Sequence, residues 1–405
     1  MTDHPIIIFM ALLLIGYGAF SKLADKSMIT APMVFVTVGM IVGFLPLHIF
    51  EPEGPIAPSV KVLAELTLIL VLFLDASGIN KKALKQESNL PTRLLAIGLP
   101  LTMVLGTFFA IWIFPDEPLW KLVVMALILS PTDAALGVAV VTSKLVPQRI
   151  RQTINVESGL NDGIALPPIL ICFAILAGTE AVQGGTQYWL IFVVKQFLFG
   201  PIIGGLVGWL GGKLIDRTSE KEWMNHTFQQ LAAISLSILA FAMAESVHGN
   251  GFIAAYFSGL FLAIRSKEIR HRIREFGEAG SQIMVLFIFL LFGLLLVPLS
   301  FPYWNVYTVL YALLSLTIIR MVPVVISLTG TDLSQHLKWF IAWFGPRGIA
   351  SVLYLLMMVI QLGAKGYERI ISVITLTVLL SIFLHGISAV PYSRWIGKLE
   401  GKKVD

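Results

Sequence analysis

Apolar residues run along this chain in long blocks, and the charged residues gather in the short segments between them. A block of about 20 residues is what a helix needs to cross the hydrocarbon core of a bilayer. The pattern predicts an all-α polytopic membrane protein with about thirteen transmembrane helices. They lie near 5–20, 28–46, 60–76, 90–114, 119–141, 150–176, 187–212, 228–247, 250–264, 280–298, 303–328, 337–361 and 367–391. The turn at His248 and Gly249, between the eighth and ninth spans, is the shortest connection. Glycine and proline interrupt two of the spans, the fifth at Ser130-Pro131-Thr132-Asp133 and the twelfth at Phe344-Gly345-Pro346-Arg347-Gly348.

Loop charge orients these spans. Lys22 and Lys26, then Lys81, Lys82 and Lys85, then Lys144, Arg149 and Arg151, follow the first, third and fifth spans. Lys213, Arg217 and Lys221 follow the seventh, and Arg265, Lys267, Arg270, Arg272 and Arg274 the ninth. The intervening loops, such as HIFEPEGPIAPS and PDEP, are acidic or neutral. Basic loops stay in the cytoplasm, which puts the N-terminus outside and the tail from Arg394 to Lys403 inside, and makes the number of spans odd. Only Lys365 and Arg369 argue weakly the other way. Residues 1–20 lack a basic start and a small-residue cleavage site, so they read as a retained first span. The expected organisation is one transporter domain over 1–391 and a short cytoplasmic tail at 392–405, with no attached regulatory domain.

Composition narrows the class. Of 405 residues, 57% are hydrophobic and 13% are charged, where soluble domains carry about 25% charged residues. The net charge of +5 would suggest a nucleic-acid partner in a soluble protein. Here it reports orientation in a lipid bilayer, and no nucleic acid is expected. The single cysteine, Cys172, lies in an apolar run and reads as a small buried hydrophobe.

One segment breaks the hydrocarbon pattern. Thr153 to Pro168 reads TINVESGLNDGIALPP and lies inside the sixth span. At about 100° per helical residue, Glu157, Asn161, Ser158 and Asp162 occupy an arc of roughly 140° on one side of the helix. An ionised side chain at bilayer depth costs about 2.5–3.5 kcal/mol on insertion scales, so such residues line a pathway or are paired. This segment is the candidate cation and proton site.

The interrupted spans supply its partners. Pro131 frees backbone carbonyls near the membrane centre, and Thr132 offers a hydroxyl and a carbonyl oxygen to a cation. Asp133 is placed to cap the half-helix that follows it. Arg347 brings a charge to the second break. If spans one to six and eight to thirteen are two inverted halves (about 1–176 and 228–391) joined by the helix at 187–212, the two broken helices occupy matching places. Paired breaks of this kind point to a transporter's midplane site. Arg320, in the eleventh span, keeps its proton and needs an anion. Glu157 is the expected partner, with Arg347 as the rival, which leaves Asp162 as the carboxylate free to exchange a proton for a cation.

Other residues have plainer readings. Lys195 snorkels, Glu65 faces water near the membrane surface, and His385 is a satisfied interior histidine. Glu245 and His248 lack further ligands at metal-like spacing. Gly200, Gly204, Gly208 and Gly212 repeat every fourth residue as a helix-packing face.

Taken together, SPTDAALG at 130–137, NVESGLNDG at 155–163, Arg320, GPRG at 345–348 and HGNGFIAAYFSGL at 248–260 resemble the monovalent cation:proton antiporter family. The resemblance is to its electroneutral, NhaP-type sodium/proton branch, and through the span order it covers nearly the whole chain. It implies that Asp162 binds the ion and the proton, that Glu157, Ser158 and Thr132 help build the site, and that Asn161 supports it. It also implies a homodimer in which a core (about 90–176 and 303–391) moves against interface helices (about 5–76 and 187–298). NVES in place of the commoner GES-type sequence, and Ala134 where many relatives have proline, are departures that bear on ion preference.

A buried carboxylate is costly as an anion, and a bound cation offsets that cost, so proton and sodium compete for Asp162. Oxygen donors from Asp162, Ser158 and the Thr132 carbonyl suit a hard alkali cation, sodium first, with lithium or potassium also possible cargo. One charge is carried in each crossing, so exchange is one for one and electrically silent. No cofactor beyond the transported ions is expected, and the expected setting is a prokaryotic cell membrane. A symporter or anion carrier of the same architecture is the alternative. A membrane-embedded hydrolase using Asp133 and Asp162 lacks a metal cluster or nucleophile motif.

Overall fold

The computed structural model describes residues 4–24, 28–45, 58–78, 89–133, 136, 138–178, 186–265 and 280–401, and within these every regular element is a helix. In chain order they are α1 (His4–Ala24), α2 (Ala31–Phe44), α3 (Pro58–Ser77), α4 (Asn89–Ile113), α5 (Leu119–Ile128) and α6 (Val138–Val141). Then come α7 (Gln148–Leu176), α8 (Thr186–Glu220), α9 (His226–Ser246), α10 (Gly251–Arg265) and α11 (Gly280–Tyr303). The chain ends with α12 (Val306–Ser327), α13 (Gln335–Trp343), α14 (Ile349–Leu362) and α15 (Glu368–Leu399).

Seven of these contain a stretch long and apolar enough to cross a membrane: α4, α7, α8 from Phe197, α9, α11, α12 and α15. Shorter apolar helices accompany them, among them α5 and α14, the halves of the two interrupted spans. Large apolar side chains such as Ile15, Val104, Trp112, Leu214 and Val306 point outward, as they do on a surface solvated by lipid. The basic residues Lys26, Lys81, Lys82, Lys85, Lys267, Arg270, Arg272, Arg274 and Lys403, the segment 46–57, and Ala134 lie outside the described residues.

Small residues set how closely helices approach. The expected glycine face of α8 packs on α10: a Cβ at Gly204 would meet the Ala254 carbonyl, and one at Gly208 the Ser258 carbonyl. Gly39 of α2 and Gly293 of α11 make a second close crossing, where each Cβ would strike the other helix's backbone. Gly293 lies in a π-helical turn, Phe292–Leu296. Another such turn, Leu94–Gly98 in α4, packs on α12.

Three features differ from expectation. α8 runs on to Glu220, so Lys213 and Arg217 are helical rather than in a loop. α15 continues through Pro391 to Leu399, and the segment expected as a tail from 392 begins as helix. Ser393 and Ile396 are buried there, and packing holds the turn that Pro391 would weaken. α12 is discontinuous at Thr317, whose φ of −111° and ψ of −94° leave the helical region.

The turn between α9 and α10 is built by capping. His248 takes a positive φ of 59°, Glu245 Oε1 accepts from the Gly251 amide at 2.9 Å, and Asn250 Oδ1 accepts from Ile253 at 3.0 Å. Lys195 is exposed and Cys172 is buried.

Candidate functional site

Two stretches of non-helical backbone meet at the centre of the site. Pro131 cannot donate to the preceding turn, and the chain is extended or irregular from Pro131 to Asp133. Gly345 and Pro346 do the same between α13 and α14. The Asp133 amide donates to the Pro346 carbonyl at 2.8 Å, which joins the two breaks through backbone.

Each break also lends a charged side chain to the other. Asp133 Oδ2 accepts from the Ile349 amide at 2.8 Å, so it caps α14. The half-helix that follows Asp133, which the sequence expects it to cap, starts at residues outside the described ones; the N-terminus it caps here is that of α14, beside it in space. A carboxylate at that position meets unpaired N–H groups and the positive end of a helix dipole. Arg347 is fully buried, and its Nη1 donates to the Ser130 carbonyl and, at 3.1 Å, to the Pro131 carbonyl. These are acceptors that the proline break frees at the end of α5. Gly348 is required because a Cβ there would strike the Asp133 carboxylate.

Arg347 is therefore not the partner of Glu157. Arg320 Nη2 stands 2.7 Å from Glu157 Oε1, with both side chains at most 2% exposed. Gly345 gives the guanidinium its room, since a Cβ there would overlap Arg320 Nε. Arg347 lies within Coulombic reach of the same pair. The Arg347 amide donates to Ser381 Oγ at 2.6 Å. Ser381 Oγ stands 3.2 Å from His385 Nδ1, and His385 Nε2 stands 2.9 Å from the Trp343 carbonyl. His385 thus fastens α15 to both sides of the second break, as a satisfied interior histidine.

The polar face of α7 lies against the first break. Glu157, Ser158, Asn161 and Asp162 are all buried. Asn161 Nδ2 donates to Thr132 Oγ1 at 2.6 Å, and Thr132 Oγ1 lies 3.2 Å from Ser158 Oγ. Tyr354 Oη of α14 donates to the Asp162 carbonyl at 3.0 Å. Asp162 Oδ1 and Asn161 Oδ1 are buried and have no hydrogen-bond partner among the described residues. The structure thus brings together Thr132, Asp133, Glu157, Ser158, Asn161, Asp162, Arg320 and Arg347.

Three neighbours were not anticipated. Asp75 of α3 and Asp133 are the carboxylates whose charges bear on Asp162. Tyr256 of α10 interacts with Asp75 and Asp162, and a Cβ at Gly163 would stand 2.6 Å from its ring. Tyr354 completes the set. The sequence signal for Asp75 was an acid at the end of a predicted span, which reads equally well as a helix terminus. Two tyrosines inside apolar helices carry no local signal.

The sodium/hydrogen exchanger transmembrane family matches residues 8–395. The chain belongs to that family. Among curated members, it is 27% identical over 385 residues to the K(+)/H(+) antiporter NhaP of Alkalimonas amylolytica, covering 93% of this chain and 64% of that protein. It is 26% identical to the K(+)/H(+) antiporter NhaP2 of Shewanella sp. (strain ANA-3), covering 94% and 65%. The chain thus spans a little under two thirds of the length of these relatives. It is 24% identical to the Na(+)/H(+) antiporter NhaG of Bacillus atrophaeus, covering 94% and 73%. Its fold matches that of the sodium proton antiporter MjNhaP1 from Methanocaldococcus jannaschii with a TM-score of 0.79, 19% identity and 98% coverage of both chains.

Proposed function

We propose that the protein is a secondary antiporter exchanging a monovalent cation for a proton, one for one, with Asp162 as the carboxylate they share. The observation that carries this reading is the distribution of buried charge. Glu157 is paired with Arg320, Arg347 donates to backbone carbonyls, and Asp133 accepts at the start of α14. Asp162 keeps a buried oxygen without a hydrogen-bond partner among the described residues, on the same helix face that carries Ser158 and Asn161, whose side chains meet the Thr132 hydroxyl.

A proton or an alkali cation each neutralises that oxygen, and the two exclude one another. Oxygen donors suit sodium, lithium and potassium alike. The relatives' names divide between potassium and sodium, so both belong in the assay. Because one positive charge accompanies Asp162 in either crossing, exchange is electroneutral.

In this reading thirteen spans form two inverted six-helix repeats. The core (about 90–176 and 303–391) moves as an elevator against the interface helices of a homodimer in the bilayer. The N-terminus is outside, the C-terminus is cytoplasmic, the setting is a prokaryotic cell membrane, and the scheme uses no cofactor. The cross-links between the two breaks support movement of the core as one body.

Proton movement in proteoliposomes, driven by sodium or potassium with the voltage clamped by valinomycin, tests the proposal. It is expected in the unmodified protein, independent of voltage, and absent in Asp162→Asn. Transport that survives this substitution overturns the assignment.

A further inference from the structure

A cavity of about 70 Å³ opens where α3, α10 and α14 meet. Lys61, Glu65 and Gln361 stand at its mouth, and Leu68, Phe252 and Leu353 form its buried floor. The floor adjoins the site described above. Phe252 is one helical turn before Tyr256, and Leu353 directly precedes Tyr354, the tyrosine that donates to the Asp162 carbonyl at 3.0 Å. From Glu65 to Asp75, α3 covers ten residues, about 15 Å of helix. The helices that line the cavity, α3, α10 and α14, are therefore the same three that carry Asp75, Tyr256 and Tyr354 to the site.

Glu65 is the acid of this mouth. Its side chain is 38% exposed, and Lys61 Nζ lies 3.9 Å from its Oε1, too far for a hydrogen bond. The lysine ammonium is a monovalent cation tethered one turn away, facing the same carboxylate.

We infer that this cavity is the vestibule of the access route on the α3 N-terminal face, that Glu65 captures the incoming cation there, and that Lys61 competes with it. The inference rests on the antiport reading. Glu65 acts on approach, before the ion reaches Asp162, so it sets the apparent affinity from one face and leaves the turnover step unchanged. An exposed ion pair is worth about 0.2–1 kcal/mol, which corresponds to a change in KM of up to about fivefold.

The test is side-specific kinetics in right-side-out and everted membrane vesicles, titrated with sodium chloride and with potassium chloride. Glu65→Gln is expected to raise KM about two- to fivefold from the α3 N-terminal face, with maximal rate and the opposite face unchanged. Lys61→Gln is expected to lower KM from that same face. Unchanged KM in both variants, or equal shifts from both faces, overturns the inference. Asp162→Asn runs alongside: if it is silent while the Glu65 and Lys61 variants behave as the unmodified protein, the vestibule assignment alone fails. If Asp162→Asn still transports, the underlying reading fails instead.

Discussion

Replacing Arg320 by methionine would leave Glu157 as a buried charge without its counter-ion. The pair is at 2.7 Å, with exposures of 1% and 2%, so water cannot compensate. Removing one member of such a pair costs about 3–5 kcal/mol, whereas replacing both by apolar groups of similar size is near neutral. Arg320→Met and Glu157→Gln should therefore each lower the thermal midpoint in detergent, on the order of 5 °C for a chain of this size. The double variant should recover most of that loss, with a coupling energy of about 2 kcal/mol or more. It should also retain cation-driven proton movement, because Asp162 is untouched. A double variant whose loss equals the sum of the singles would refute the pairing as an isolated neutral unit. A double variant that is stable but silent would show that Glu157 takes part in exchange.

Three further outcomes follow from the site. Asn161→Asp sets a second carboxylate beside Asp162, and should make transport voltage-sensitive or lower stability; unchanged, voltage-insensitive transport in valinomycin-clamped proteoliposomes counts against the one-carboxylate scheme. Since proton and cation compete, the apparent KM for the cation should rise as pH falls, approaching about tenfold per unit once protons dominate the site, with the maximal rate little changed. Gly208→Leu pushes a side chain into the Ser258 backbone; overpacking of this kind costs about 1–3 kcal/mol, and a thermal midpoint equal to that of the unmodified protein would remove α8–α10 packing as its explanation.

The elements that could be read from the chain are those whose signal is local. The two Gly/Pro interruptions and the polar arc from Glu157 to Asp162 each lie within about two helical turns and appear in the structure, and seven of the apolar blocks appear as helices long enough to cross a membrane. Partner choice was legible where charge left few options, as for Arg320 and Glu157. It was not legible where the partner comes from a remote segment. Nothing near Asp133 shows that the amide it accepts belongs to Ile349, 216 positions away. Asp75, Tyr256 and Tyr354 were hidden for the same reason: each is ordinary in its own helix and matters only because α3, α10 and α14 converge on α7. Helix ends were blurred by packing, as where α15 passes Pro391 without stopping.

The two breaks compensate each other, and this makes them one mechanical unit. Each break exposes carbonyls at the end of one half-helix and N–H groups at the start of the next. Buried, such groups need partners of opposite character. Arg347 from the second break supplies donors to the carbonyls of Ser130 and Pro131, and Asp133 from the first supplies an acceptor to the Ile349 amide. Ser351 Oγ adds a third link by donating to the Ile128 carbonyl at 2.8 Å. Separating the breaks would strand all these groups at once, each at about 1–3 kcal/mol. The Asp133→Ala and Arg347→Met substitutions should therefore each destabilise strongly, yet cost less together than their sum, because either one already loosens the junction that the other braces. Simple additivity in a double-mutant cycle on the thermal midpoint would mean that the breaks are held independently, and would remove the structural support for the proposal that the core moves as a single body.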